Sequence, residues 1–202
     1  MKYFVIIKEI MNKIRIKFPF TSRNKKFKEL VLYIADKSKD DPFFGATKLN
    51  KILFLVDFKC YAWQGKSFTG AKYVHLQNGP APNEILGIVE SLQHEKRAKI
   101  KEIACHGYTQ KRLVPLMGAD TSIFTEEELL LIDATIEQTK NTNATEISDW
   151  SHTLMPWRLT KNGEEIPYCT AYMLQNHPIG REGLSWAKQE IKKIKKETGH
   201  AT

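Results

Sequence analysis

Cysteine is scarce in this chain: Cys60, Cys105 and Cys169 are the only three in 202 residues. They are far apart and odd in number, which excludes a disulfide framework and leaves no C-x-x-C pair for zinc. A reducing cytoplasm is the expected compartment. No run approaches the roughly eighteen consecutive apolar residues that a spanning helix needs. The apolar stretch near the start, Tyr3 to Ile7, is ended by Lys8 and Glu9 and is followed by no small-residue cleavage site, so it does not read as a signal peptide. Internal repeats and low-complexity linkers are missing as well.

Catalytic and metal signatures are equally thin. The six histidines show no H-E-x-x-H or H-x-H spacing, and no acidic cluster completes a ligand set, so no metal and no cofactor is expected. Cys60 to Ser67 lacks only the first glycine of a phosphate-binding loop. That chemistry needs a strand before the loop and a helix after it, whereas here the pattern gives a helix before and an extended segment after. Cys105 and His106 are neighbours along the chain, but a thiolate–imidazole pair must meet through the fold. No G-x-S-x-G elbow or dinucleotide fingerprint is present.

What is present is ordinary globular composition, 42% hydrophobic and 27% charged, which excludes disorder and collagen-like structure. The net charge of +8 suggests nucleic acid until it is located. Lys2, Lys8, Lys13, Arg15, Lys17, Arg23, Lys25 and Lys26 face Glu9 alone in the opening segment, and a second basic cluster lies beyond residue 180. The stretch between carries slightly more acids than bases, so the body has no footprint for a phosphate backbone. Nucleic-acid binding through the two basic ends is the competing function class, without a helix-turn-helix signature to support it.

Along the chain, residues 1–24 form a basic extension, with helical spacing at Tyr3, Ile6, Ile7 and Ile10 and strand alternation from Ile14 to Phe20. Phe27, Leu30, Val31 and Ile34 predict a helix over 25–38. A second helix is expected from a Thr47 cap to Gly65. Leu49, Ile52, Leu53, Val56 and Cys60 would line its buried face, with Trp63 broadening the stripe and Lys48 and Lys51 at the rim. A short strand at 73–76 leads to a corner at Asn78–Pro82, and Asn83 is placed to cap a helix that carries Ile85, Leu86, Ile88, Val89 and Leu92 to about residue 95. A β-hairpin turns at Gly107. Thr125 and Glu128 form a capping box for the next helix. A short helix over 144–152 and a last basic helix over 183–197 follow. His152 is expected to tie down the turn before Pro156, with Trp157 stacked on the core, in preference to a ligand pocket.

The order of these pieces resembles a known family. Lys48-Leu49-Asn50-Lys51-Ile52-Leu53-Phe54 is similar to the K-L-x-K-L-L-[YF] helix of the Panacea, or SocA-like antitoxin, domain, which includes phage-associated proteins. Gly65-Lys66-Ser67-Phe68 resembles that family's Y-G-[KR]-x-[LF] turn, with Gln64 replacing the aromatic, and Gly79-Pro80 its G-P-[VA] strand end. Ile147 to His152 and then Pro156-Trp157 resemble its L-S-x-x-[ST]-H and P-W. The resemblance spans about residues 27 to 175 and leaves the opening segment outside.

It implies a mainly α (α+β) fold, a compact helical domain over 25–180 with a small antiparallel β-hairpin or sheet; the basic helix over 181–202, beyond the resemblance, is expected to pack on that domain or extend it. It also implies no enzymatic activity and service as an antitoxin that neutralises a cognate toxin protein by direct contact. Proteolytic turnover is a family theme, so a protease system is a second conceivable partner; a membrane is not. Candidate contacts are Tyr3, Phe4 and Ile7 with the basic edge of Lys13, Arg15 and Lys17, where apolar and cationic groups alternate.

Overall fold

The computed structural model describes residues 22–105 and 108–174. Residues 1–21 of the opening extension, with its six candidate contact residues, and the last helix expected over 183–197 lie outside the described residues, while Ser22 to Asn24, expected in the extension, open the first helix. Helix α1, Ser22–Lys37, and helix α2, Ala46–Gln64, come first. Strands β1, Tyr73–Leu76, and β2, Gly79–Pro82, form a hairpin that leads into α3, Ile85–His94. Strands β3, Ala98–Cys105, and β4, Tyr108–Pro115, make a separate two-stranded ribbon. After a 3-10 turn at Thr121–Ile123 come α4, Glu126–Thr139, α5, Ala144–Thr153, and the short α6, Met155–Arg158. Strand β5, Glu165–Ile166, closes a three-stranded sheet of order β2-β1-β5, and a 3-10 helix follows at Tyr168–Met173. This is the α+β arrangement expected, with small antiparallel sheets.

Helix α2 is the axis of the domain. Every residue from Lys51 to Phe58 is buried, more than two turns without a wet face, as in a helix surrounded by protein. It packs against α1, α4, α5, β2, β4 and the last 3-10 helix. Phe54, Phe58 and Tyr73 form a cluster with ring centroids 4.2–5.5 Å apart. Gly65 ends the helix in the left-handed region at φ 69°, its N–H donating to the Tyr61 carbonyl at 2.8 Å.

Three local expectations change. Helix α2 starts one residue before Thr47, with Gly45 at the N-cap and no side-chain cap bond. Arg112 on β4 donates to the carbonyls of Lys39, Asp41 and Phe44, so tertiary contacts hold the preceding turn in place of a cap. Glu84, not Asn83, is at the N-cap of α3, again without a side-chain bond. Trp63 is 60% exposed and does not broaden the buried stripe, whereas Tyr61 in the same turn packs on Tyr168.

The Thr125 capping box is present in both halves: the Glu128 N–H donates to Thr125 Oγ1 at 3.2 Å and the Thr125 N–H donates to Glu128 Oε2 at 3.1 Å. Asn143 and Glu146 build a second box at the start of α5. The N-x-T pattern around Asn143 is there because a side-chain oxygen must satisfy free amides at a helix start.

Candidate functional site

The motifs separated along the chain meet where the β1–β2 hairpin is clasped between α2 and the α5–α6 pair. Lys48 and Lys51 are one turn apart on α2 and face inward. Neither lies at a rim: they are 1% and 2% exposed, which corrects the amphipathic placement. Each charge is buried because the fold brings a partner to it. Lys48 Nζ donates to Asp41 Oδ2 at 2.6 Å, in an ion pair with both side chains buried. Asp41 Oδ1 accepts from the Phe43 N–H at 2.9 Å, which turns the chain into α2. Burial pushes the Lys48 amine below the usual lysine range and the Asp41 carboxylate opposes that shift.

Lys51 Nζ donates to the Pro80 carbonyl at 3.1 Å. Desolvation lowers its pKa to about 8, because a carbonyl dipole replaces only part of the lost hydration. Gly79 lies against the same side chain at φ +89°, and a β-carbon there would stand 2.6 Å from Lys51 Cε and 2.1 Å from Ser151 Oγ. The Ser151 hydroxyl donates to the Ser148 carbonyl at 2.7 Å. The Gly79-Pro80 pair is therefore a point of close approach: glycine lets α5 and α2 touch the strand, and Pro80 supplies the acceptor.

The other side of the hairpin carries an aromatic stack. The Trp157 indole lies between two imidazoles, 3.9 Å from His75 at 25° and 4.2 Å from His152 at 24°. His75, opposite Pro80 in the β1–β2 register, places Nδ1 3.1 Å from both the Trp157 carbonyl and Thr160 Oγ1. Burial holds the His75 pKa below the usual histidine range. The histidine that ties down α6 is thus His75 and not His152, whose buried Nε2 has no hydrogen-bond partner among the described residues. His152 contributes by stacking.

Asp57 is a further anchor. It is fully buried and its carboxylate accepts from the Thr69 N–H at 2.6 Å, the Thr69 hydroxyl at 2.5 Å and the Tyr73 hydroxyl at 2.7 Å. These bonds hold the carboxylate while burial raises its pKa. One side chain of α2 thereby fixes the path into β1. A lone acid in an otherwise apolar helix face was the available signal, together with its position two turns after Lys51.

The structure brings together Lys51, Gly79, Pro80, His152 and Trp157, with Lys48 one turn away on α2. Leu49 is in the main core, 4% exposed, and Gly65 is a remote helix end. At the junction Lys51 bonds the Pro80 carbonyl, His75 bonds the α6 turn and the Trp157 indole N–H donates to the Leu76 carbonyl, while the Ser151 hydroxyl bonds within α5 and His152 stacks. Cys60 is buried, accepts from Gln64 and has its thiol pKa raised by desolvation, the setting of an inert cysteine. Cys105 ends β3, and its side chain and the whole of His106 lie outside the described residues. Among the described residues no group of three or more His, Cys, Asp or Glu could hold a metal ion, and no helix is long and apolar enough to cross a membrane.

Residues 49–158, more than half of the chain, match the family described as antitoxin SocA-like, Panacea domain. No curated protein and no solved structure matches the chain.

Proposed function

The chain belongs to the SocA-like Panacea antitoxin family, and from that membership we propose that it neutralises a cognate toxin protein by direct contact, without chemistry of its own. The family match over residues 49–158 carries the reading. The junction supports it physically. While Gly65 and Lys66 stay exposed at the end of α2, Lys48, Lys51, Gly79, Pro80 and Pro156, which bear the family resemblance, are turned into the fold, where they join α2, the hairpin and α5–α6. They specify a scaffold, and recognition is left to the surface built on it. That surface offers large exposed apolar side chains, among them Trp63, Leu86, Leu130 and Tyr172, of the kind that anchor protein interfaces.

A neutralising complex of ordinary stability buries roughly 1,600 Å² in total. The arm residues Tyr3, Phe4, Ile7, Lys13, Arg15 and Lys17 are proposed as part of it. The test is expression of the neighbouring reading frame alone and together with this chain. Growth arrest by the neighbour, relieved on co-expression and accompanied by co-purification of the two proteins, is the expected result. Arrest that persists despite soluble expression of this chain overturns the reading. Removal of residues 1–21, which precede α1, is expected to weaken rescue while the domain stays folded.

A further inference from the structure

The ribbon of β3 and β4 stands apart from the three-stranded sheet, and among the described residues β3 pairs only with β4. Strand β4 is the inner one: it packs on α1 and α2, and its Arg112 reaches the turn before α2. Strand β3 is the outer one: among the helices of the described residues it packs closely on α3 alone, and Lys99, Ile100, Lys101, Glu102 and Ala104 are exposed along it.

The direction of its backbone groups follows from the register. At the foot of the ribbon the Leu116 N–H donates to the Arg97 carbonyl at 2.8 Å. Bonded and non-bonded positions alternate in an antiparallel pair. With Lys99 opposite Val114, Ile100 opposite Leu113 and Lys101 opposite Arg112, the odd-numbered residues of β3 bond to β4 and the even-numbered ones point outward. Pro115, which has no N–H to give, stands opposite Ala98 at an outward position, as this alternation requires. Ile100, Glu102 and Ala104 therefore direct N–H and C=O groups away from β4, a ready template for another strand.

Charge selects the occupant. Lys99 and Lys101 share a face with Arg112, and Lys111 stands opposite Glu102 on the other face. A second copy of β3 would set lysine against lysine. The chain's own alternating segment, Ile14 to Phe20, brings Arg15 and Lys17. Laid beside Lys99 and Lys101, both set like charge against like charge, which destabilises a cross-strand pair.

We propose that the free edge of β3 docks an extended acidic segment of a partner protein, which adds as a third strand and sets carboxylates at alternate positions beside Lys99 and Lys101. For the partner's being a toxin, this rests on the antitoxin reading. The probe is a fluorescein-labelled peptide of about ten residues in which glutamate alternates with valine, compared with its lysine-for-glutamate counterpart and titrated into the full chain.

The acidic peptide is expected to bind at least about tenfold more tightly than the basic one and to slow amide exchange at Ile100, Glu102 and Ala104. Ile100→Pro removes an outward N–H and no ladder bond, so it should weaken binding by about tenfold or more while the melting temperature stays in place. Lys99→Glu combined with Lys101→Glu should reverse the preference between the peptides, a readout that does not depend on how the strand accepts proline.

No binding of the acidic peptide up to about 1 mM, or equal binding by the wild type and the charge-reversed variant, overturns the proposal. So does binding that appears only after residues 1–21 are deleted, since the arm would then be the occupant. Growth rescue is scored separately. Peptide binding without rescue refutes the antitoxin reading and leaves the edge site standing; rescue without peptide binding does the reverse.

Discussion

Gly79 and Ser151, 72 positions apart in the sequence, are packed so closely that a β-carbon on the glycine would lie 2.1 Å from the serine Oγ. Gly79→Ala must therefore push aside the Ser151 hydroxyl and the end of the Lys51 side chain, breaking their bonds to the Ser148 and Pro80 carbonyls, as well as hold alanine at φ +89°. A cost of about 2–4 kcal/mol is expected from the two effects together. Gly65→Ala is the comparison: its φ is +69° but nothing lies within 4 Å of the added carbon, so only the backbone penalty of about 1 kcal/mol applies. Urea unfolding of the two variants checks the order, and equal losses would contradict the close approach.

Lys51 makes stability depend on pH in the alkaline range. Its folded pKa of about 8 is below the 10.5 of the free side chain. Between those values the unfolded chain holds a proton that the folded chain has released, so stability rises with pH through the window. Below about 8 the cost of the buried charge is present in full. Lys48 and Lys59 are shifted the same way, and the difference between the wild type and Lys51→Met isolates the contribution of Lys51. That difference should move in favour of the wild type by about 2 kcal/mol between pH 7 and pH 9.5, measured by denaturant unfolding at both. A difference independent of pH would show that the amine reaches solvent.

The buried pair of Lys48 and Asp41 should be strongly coupled. Lys48→Met leaves the carboxylate without its cation and Asp41→Asn leaves the ammonium without its anion, and each is expected to cost about 3 kcal/mol. The double variant has no unpaired charge. Its loss should fall short of the sum of the single losses by about 1–3 kcal/mol, read from equilibrium unfolding of all four proteins. Additive losses would mean that the pair is not desolvated.

Local rules carried much of the fold. The apolar spacing of Phe27, Leu30, Val31 and Ile34 is a helix face, and all four are buried. Gly65 stops α2, and Thr125 with Glu128 caps α4, because free amides and carbonyls at a helix end are satisfied within a few residues. The pairing of β3 with β4 follows from two runs of strand-forming residues close together in the chain. Such features depend on residues close together in the chain, and their chemistry is written in that order.

The site was legible as a set of motifs but not as an arrangement. Periodicity sends a lysine to the wet side of a helix, yet Lys51 is buried because the carbonyl of Pro80 arrives from a hairpin 29 residues later. His75 could not be seen as the residue that holds Trp157, since 82 residues separate them, and Asp57 gains its donors only when Thr69 and Tyr73 fold back over α2. The amino-acid order determined the helices, the ends at Gly65 and Thr125, and the family; the Thr47 and Asn83 caps it suggested were displaced by tertiary contacts. Tertiary packing alone decided which charges are buried, because the cost of burying a charge depends on partners that come from other parts of the chain.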